Sequence, residues 1–154
     1  FASKVVIAGD TAAVQRAIEA CKARGAKRAL PLPVSAPFHC ALMLPAGQRL
    51  GERLAKITLK PPRIAYRSAV DAQLHSDPDA IRALLVRQAS QPVRWTATVQ
   101  ALVDAGARAI VECGPGKVLT GLDRRIVKAP DVQCIAIDDD ATLQTALDTI
   151  GRTA

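Results

Sequence analysis

The sequence predicts an α/β protein with mostly parallel strand pairing. Three observations carry that expectation. Short aliphatic runs alternate with segments whose apolar residues recur at i, i+3, i+4 and i+7. Glycine, proline and aspartate stand at the junctions, where helices start and stop. The 154 residues, 49% apolar and 23% charged, suffice for one ordinary domain with a real core.

Val5, Val6 and Ile7 form a first strand that ends at Gly9-Asp10. Asp10 can cap the helix behind it, whose face carries Val14, Ala17, Ile18 and Cys21 and which stops at Gly25. Leu30, Leu32 and Val34 alternate as a second strand. Pro31 and Pro33 lack the N–H a ladder needs and make it an edge. The opening segment therefore reads as a βαβ unit. A helix over about 41–56 puts Leu42, Ala46, Leu50 and Leu54 on one stripe, and residues 63–68 read as a strand.

Asp77-Pro78-Asp79 combines a cap, a first-turn proline and acid at the positive end of a helix dipole. Its helix aligns Ile81, Leu84, Leu85 and Gln88 and breaks at Gln91-Pro92. A further helix carries Trp95, Val99, Leu102 and Val103 as far as Gly106. A strand at 109–111, a Gly114-Pro115-Gly116 turn, a helix through Leu119, Leu122 and Ile126, a strand at 134–137 and a helix with Leu143, Leu147 and Ile150 follow. There is no internal repeat or low-complexity tract. The chain opens on Phe1 rather than Met, runs almost at once into a strand, and is expected to be part of something longer.

The formal net charge is +7, but aromatics are only 3%, which argues against a base-stacking nucleic-acid platform. No apolar run nears the ~20 residues of a membrane span. Cys21, Cys40, Cys113 and Cys134 are scattered in aliphatic contexts without metal-ligand spacing. They read as small buried thiols in a reducing compartment, so a cytoplasmic protein without a metal is expected.

Only two histidines could act as bases. His75, in a polar turn, reads as a solvated loop residue. His39 follows Pro37-Phe38 and precedes a helix, where the positive end of the dipole suits a neutral, accepting imidazole. A satisfied structural histidine is the competing reading. Cys40 is its sequence neighbour, and adjacent side chains diverge, so a Cys–His nucleophile is badly placed. None of Ser3, Ser35, Ser68, Ser76 and Ser90 sits in a G-x-S-x-G elbow. If His39 is a base, its nucleophile is not in this chain. Gln88 ends an apolar stripe, so its amide is either buried and in need of partners or solvated at the helix end. Gly114-Pro-Gly-Lys117 hints at a phosphate cradle without being a Walker A loop, and a tight turn accounts for its glycines equally well. Lys27-Arg28 and Arg124-Arg125 with Lys128 form basic clusters, either a solvated face or a docking patch for an acidic partner.

Ser35-Ala-Pro-Phe-His39-Cys-Ala-Leu-Met43 followed by Pro45 resembles the histidine motif of malonyl-CoA:acyl carrier protein transacylases and related acyltransferase domains. Gly25-Ala-Lys-Arg-Ala-Leu-Pro-Leu-Pro-Val34, Asp79-Ala-Ile-Arg-Ala-Leu-Leu-Val-Arg-Gln88, Gln91-Pro-Val-Arg-Trp95 and Glu112-Cys-Gly-Pro-Gly-Lys-Val-Leu-Thr-Gly-Leu122 are similar to further stretches of that family, in its order. The resemblance is to the family's C-terminal half only. It implies that residues 1–34 are the second half of a ferredoxin-like small lobe and 35–154 the C-terminal part of an α/β-hydrolase-like core.

The activity implied is transfer of malonyl from coenzyme A to the phosphopantetheine thiol of acyl carrier protein through a seryl ester, in fatty acid synthesis. His39 matches the general base, and Gln88 the residue whose main-chain carbonyl orients it. Phe38 matches the malonyl-selecting position, and Lys27, Arg28, Arg124 and Arg125 match positions facing the carrier protein. Coenzyme A enters as a thioester substrate, and no cofactor is permanently bound. The serine, the oxyanion hole and the carboxylate-pairing arginine belong to the N-terminal half, the implied partner, so this chain alone is expected to be inactive. Residues 67–70 lack the Asn the family often has before the Val. The alternative is a non-catalytic basic α/β module that docks acidic carrier protein or nucleic acid.

Overall fold

In the computed structural model, which describes residues 5–151, Asp10 starts the first helix as expected. Its Oδ1 accepts from the amides of Ala12 and Ala13 at 3.0 and 3.2 Å, two of the donors a helix start leaves unpaired. Helix α1 runs Thr11–Ala23, buries Ile18, and closes where the Gly25 amide reaches the Lys22 carbonyl at 2.9 Å. The expected strands on either side do not form. Neither 5–7 nor 30–34 has a ladder partner among the described residues, and Val5 and Leu32 are 81% and 55% exposed. Alternation supplies a face for burial, but a strand exists only when a neighbour accepts its N–H groups.

A 3₁₀ turn over Ala41–Met43 leads into α2, Leu44–Leu54, with Pro45 in the first turn. This is the helix expected at 41–56, tightened at its start. The strand expected at 63–68 shrinks to β1, Tyr66–Arg67, paired antiparallel with β2, Leu74–His75, which periodicity did not reveal. α3, Pro78–Ser90, begins as expected, with the Ala80 amide donating to Asp77 Oδ2 at 2.7 Å.

α2 and α3 pack closely because α2 presents glycine at the crossing. A Cβ on Gly47 would stand 3.3 Å from the Val86 carbonyl oxygen, and one on Gly51 3.5 Å from Val86 Cγ2. Arg82 of α3 then reaches the Leu54 and Ile57 carbonyls at 3.0 and 3.4 Å, satisfying the end of α2. These elements belong to one compact unit that ends at Arg94.

A second unit starts at Trp95. It contains α4 (Trp95–Asp104), β3 (Ala109–Cys113), α5 (Val118–Ile126), β4 (Gln133–Ile137) and α6 (Asp140–Gly151). β3 and β4 pair in parallel from Ala109↔Gln133 to Cys113↔Ile137, a β-α-β arrangement as the alternation of patterns predicts. Val99, Ala146, Thr120 and Asp123 are buried. The cysteines depart from expectation: Cys21 and Cys113 are exposed, and Cys40 and Cys134 only half-buried.

Candidate active site

The candidate base lies where the first unit's helices meet. Gln91 is extended, and its amide makes the last α-helical bond of α3, to Arg87 at 3.0 Å. The carbonyls of Gln88 and Ala89 are thus among those a helix end leaves without partners. His39 supplies both. Its Nδ1 lies 2.8 Å from the Gln88 oxygen, and its backbone amide donates to the Ala89 oxygen at 3.2 Å. A carbonyl can only accept, so Nδ1 carries the proton. In the neutral ring Nε2 is then the acceptor, and it has no hydrogen-bond partner among the described residues.

The backbone at His39 has φ 62°, a left-handed conformation uncommon for a residue with a side chain. It turns the ring onto α3 instead of along the chain. The sequence places His39 at the positive start of a following helix. The ring instead bonds to the C-terminal, negative end of α3, which accommodates an added positive charge. Cys40 is not paired with it, because its Sγ donates to the Pro37 carbonyl at 3.1 Å. Phe38 is exposed. Of the serines, Ser68 is wholly buried and its Oγ accepts from the Val70 amide at 3.2 Å, while Ser3 lies outside the described residues.

His75 is not a solvated loop residue. It pairs in β2, and its Nε2 lies 3.0 Å from Asp71 Oδ2 with the ring mostly covered. The Gln73 amide, donating to Asp71 Oδ1 at 3.0 Å, and the His75 ring hold the Asp71 carboxyl below its ordinary range, although partial burial pushes it the other way. Ala72 takes φ 62° at the hairpin tip, and Arg67 donates to its carbonyl. The Asp71-x-x-x-His75 spacing was the one sequence signal for this side-chain-built turn.

In the second unit the suspected phosphate cradle is already filled by the protein's own acids. Both Glu112 oxygens accept from the first turn of α5, the Leu119 amide at 3.0 Å and the Thr120 amide at 2.7 Å. Asp138 Oδ1 accepts from Gly116, whose φ is 88°, at 3.0 Å. The Thr120 amide is the main cause that holds the Glu112 carboxyl low. Asp123 is the opposite case: burial pushes its carboxyl up, partly offset by the Trp95 indole N–H at 2.8 Å and reinforced by the Glu112 charge. Arg124 and Arg125 are exposed, and Arg124 donates to the Cys134 carbonyl at 3.1 Å beside a shallow depression of about 350 Å³. Lys27 and Arg28, in the first unit, are exposed beyond Gly25. Among the described residues no group of three or more His, Cys, Asp or Glu could hold a metal, and no helix is long and apolar enough to cross a membrane.

The α/β fold thus holds a histidine tied through Nδ1, with Nε2 left able to accept a proton. The acyl transferase domain family matches residues 2–141, and the chain belongs to that family. It is 51% identical over 144 residues to the malonyl CoA-acyl carrier protein transacylase of Salmonella typhimurium, covering 94% of this chain and 46% of that protein. An acyl-carrier-protein S-malonyltransferase of Burkholderia pseudomallei superposes with a TM-score of 0.82 at 47% identity, covering 91% of this chain and 45% of the other. A malonyl-transacylase solved in complex with a type II polyketide acyl-carrier protein superposes with a TM-score of 0.83 at 48% identity, covering 92% and 45%. The chain spans about half the length of the relatives it matches.

Proposed function

We propose that this chain is the C-terminal part of an enzyme that transfers malonyl from coenzyme A to the phosphopantetheine thiol of acyl carrier protein, in the cytoplasm. The observation that carries the reading is the 2.8 Å contact between His39 Nδ1 and the Gln88 oxygen, which leaves Nε2 as the acceptor. His39 is the general base, and Gln88 holds its tautomer through a neutral main-chain oxygen.

The serine comes from the N-terminal half. Nε2 takes the proton as the serine oxygen attacks the thioester carbonyl; the C–S bond breaks, and coenzyme A leaves with that proton. In the second half-reaction Nε2 takes the proton of the incoming thiol. Sulfur attacks the seryl ester, the C–O bond breaks, and the serine oxygen is reprotonated. The imidazolium of each step is stabilised by the oriented carbonyls at the end of α3. Phe38 bears on acyl selection, and Lys27, Arg28, Arg124 and Arg125 receive the acidic carrier protein.

Residues 1–34 belong to the small lobe and 35–154 to the core. The unpaired apolar segments at 5–7 and 30–34 await strands of the other half, which accounts for their exposure. This chain alone has no acyl transfer activity. In the complete enzyme, His39→Ala lowers transfer by ~10²–10⁴-fold, the span of a positioned base. An unchanged rate removes His39 from the role.

A further inference from the structure

We propose that Pro92 is a positioning residue for His39, and that it sets which ring nitrogen carries the proton. The next rung of the α3 ladder, after the Gln91 amide to Arg87, would run from residue 92 to the Gln88 oxygen. Pro92 has no N–H to make it. Its ring also disfavours helical geometry at the preceding residue, and Gln91 stands at φ −115°, ψ 156°. The missing rung leaves the Gln88 oxygen open, and His39 Nδ1 takes the place of the absent amide at 2.8 Å. The tautomer of the candidate base is thus determined 53 residues downstream of it, by a residue that need not touch it.

With an ordinary residue at 92, helix α3 can extend by one residue and its amide competes for the Gln88 oxygen. His39 Nδ1 then loses its acceptor, and the proton redistributes between the two ring nitrogens. The significance for acyl transfer rests on the reading of His39 as base, but the tautomer itself does not.

The chain supplies its own reference. His75 donates to a carboxylate through Nε2, so the two histidines are held in opposite tautomers. Long-range ¹H–¹⁵N spectra of the chain, recorded where both rings are neutral, should show His39 protonated at Nδ1 and His75 at Nε2. In Pro92→Ala, His39 should move from that single tautomer to a mixture while His75 stays unchanged. Pro92→Gly offers the same N–H on a poor helix former and should move His39 less than alanine does. Three results would each overturn the proposal: an unmodified chain without Nδ1–H on His39, a Pro92→Ala spectrum identical to it, or equal movement of both histidines. Failure of malonyl transfer to depend on His39 would leave this result untouched, so the two ideas fail separately.

Discussion

Removing the indole N–H of Trp95 tests whether a buried carboxylate governs the stability of the second unit. Asp123 is 2% exposed, and Trp95 Nε1 donates to its Oδ1 at 2.8 Å. A hydrogen bond to a charged group contributes about 1.5–3 kcal/mol. Trp95→Phe keeps most of the apolar area, so it should cost about 2–3 kcal/mol at pH 7, a Tm loss of roughly 4–12 °C at this chain length.

The cost should depend on pH, because burial already pushes the Asp123 carboxyl up. A raised carboxyl holds its proton more tightly folded than unfolded. Its ionisation therefore subtracts stability once pH rises above the unfolded value of 3.8, fully so above the folded value. Trp95 lowers that folded value. Without it the subtraction grows, so the gap between variant and parent should be widest at pH 7 and narrow toward pH 4. Urea unfolding followed by far-UV circular dichroism is the assay, since the substitution removes the chain's one tryptophan. A gap that stays constant with pH, or widens on acidification, refutes the reasoning.

Gly47→Leu should destabilise the first unit by about 1–3 kcal/mol, since its Cβ already meets the Val86 carbonyl at 3.3 Å and α2 must move off α3. Gly121→Ala in α5, with nothing within 4 Å of an added Cβ, should instead gain up to about 1 kcal/mol from helix propensity; denaturation curves compare the two. Lys27→Glu combined with Arg28→Glu should slow transfer to carrier protein in the complete enzyme much more than loading from coenzyme A. Equal effects on both half-reactions would argue against a docking patch.

Local signals in the sequence were enough where the physics is local. Asp10 and Asp77 capped the helices they precede, Pro92 ended α3, and β3 and β4 paired as their aliphatic runs foretold. Each depends on residues within a turn or on a continuous apolar run. His39 stood out as one of two histidines beside a stiff Pro-Phe corner, and the ordered motifs around it carried the family resemblance.

Its ring partner was not legible in spacing, because a main-chain oxygen is offered by every residue. Only the packing of glycine-bearing α2 on α3, with φ 62° at His39, selects the one at Gln88. The same holds for Glu112, whose carboxylate fills the helix start that the Gly-Pro-Gly turn appeared to offer an anion. The strands expected at 5–7 and 30–34 failed for a related reason. Caps, breakers and periodicity determined where the helices begin and end and which segments offer an apolar face, whereas Val5 and Leu32 stay exposed for want of a partner. Tertiary structure decided which donor meets which acceptor, because hydrogen-bond partners far apart in sequence are fixed by the packing that brings them within 3 Å.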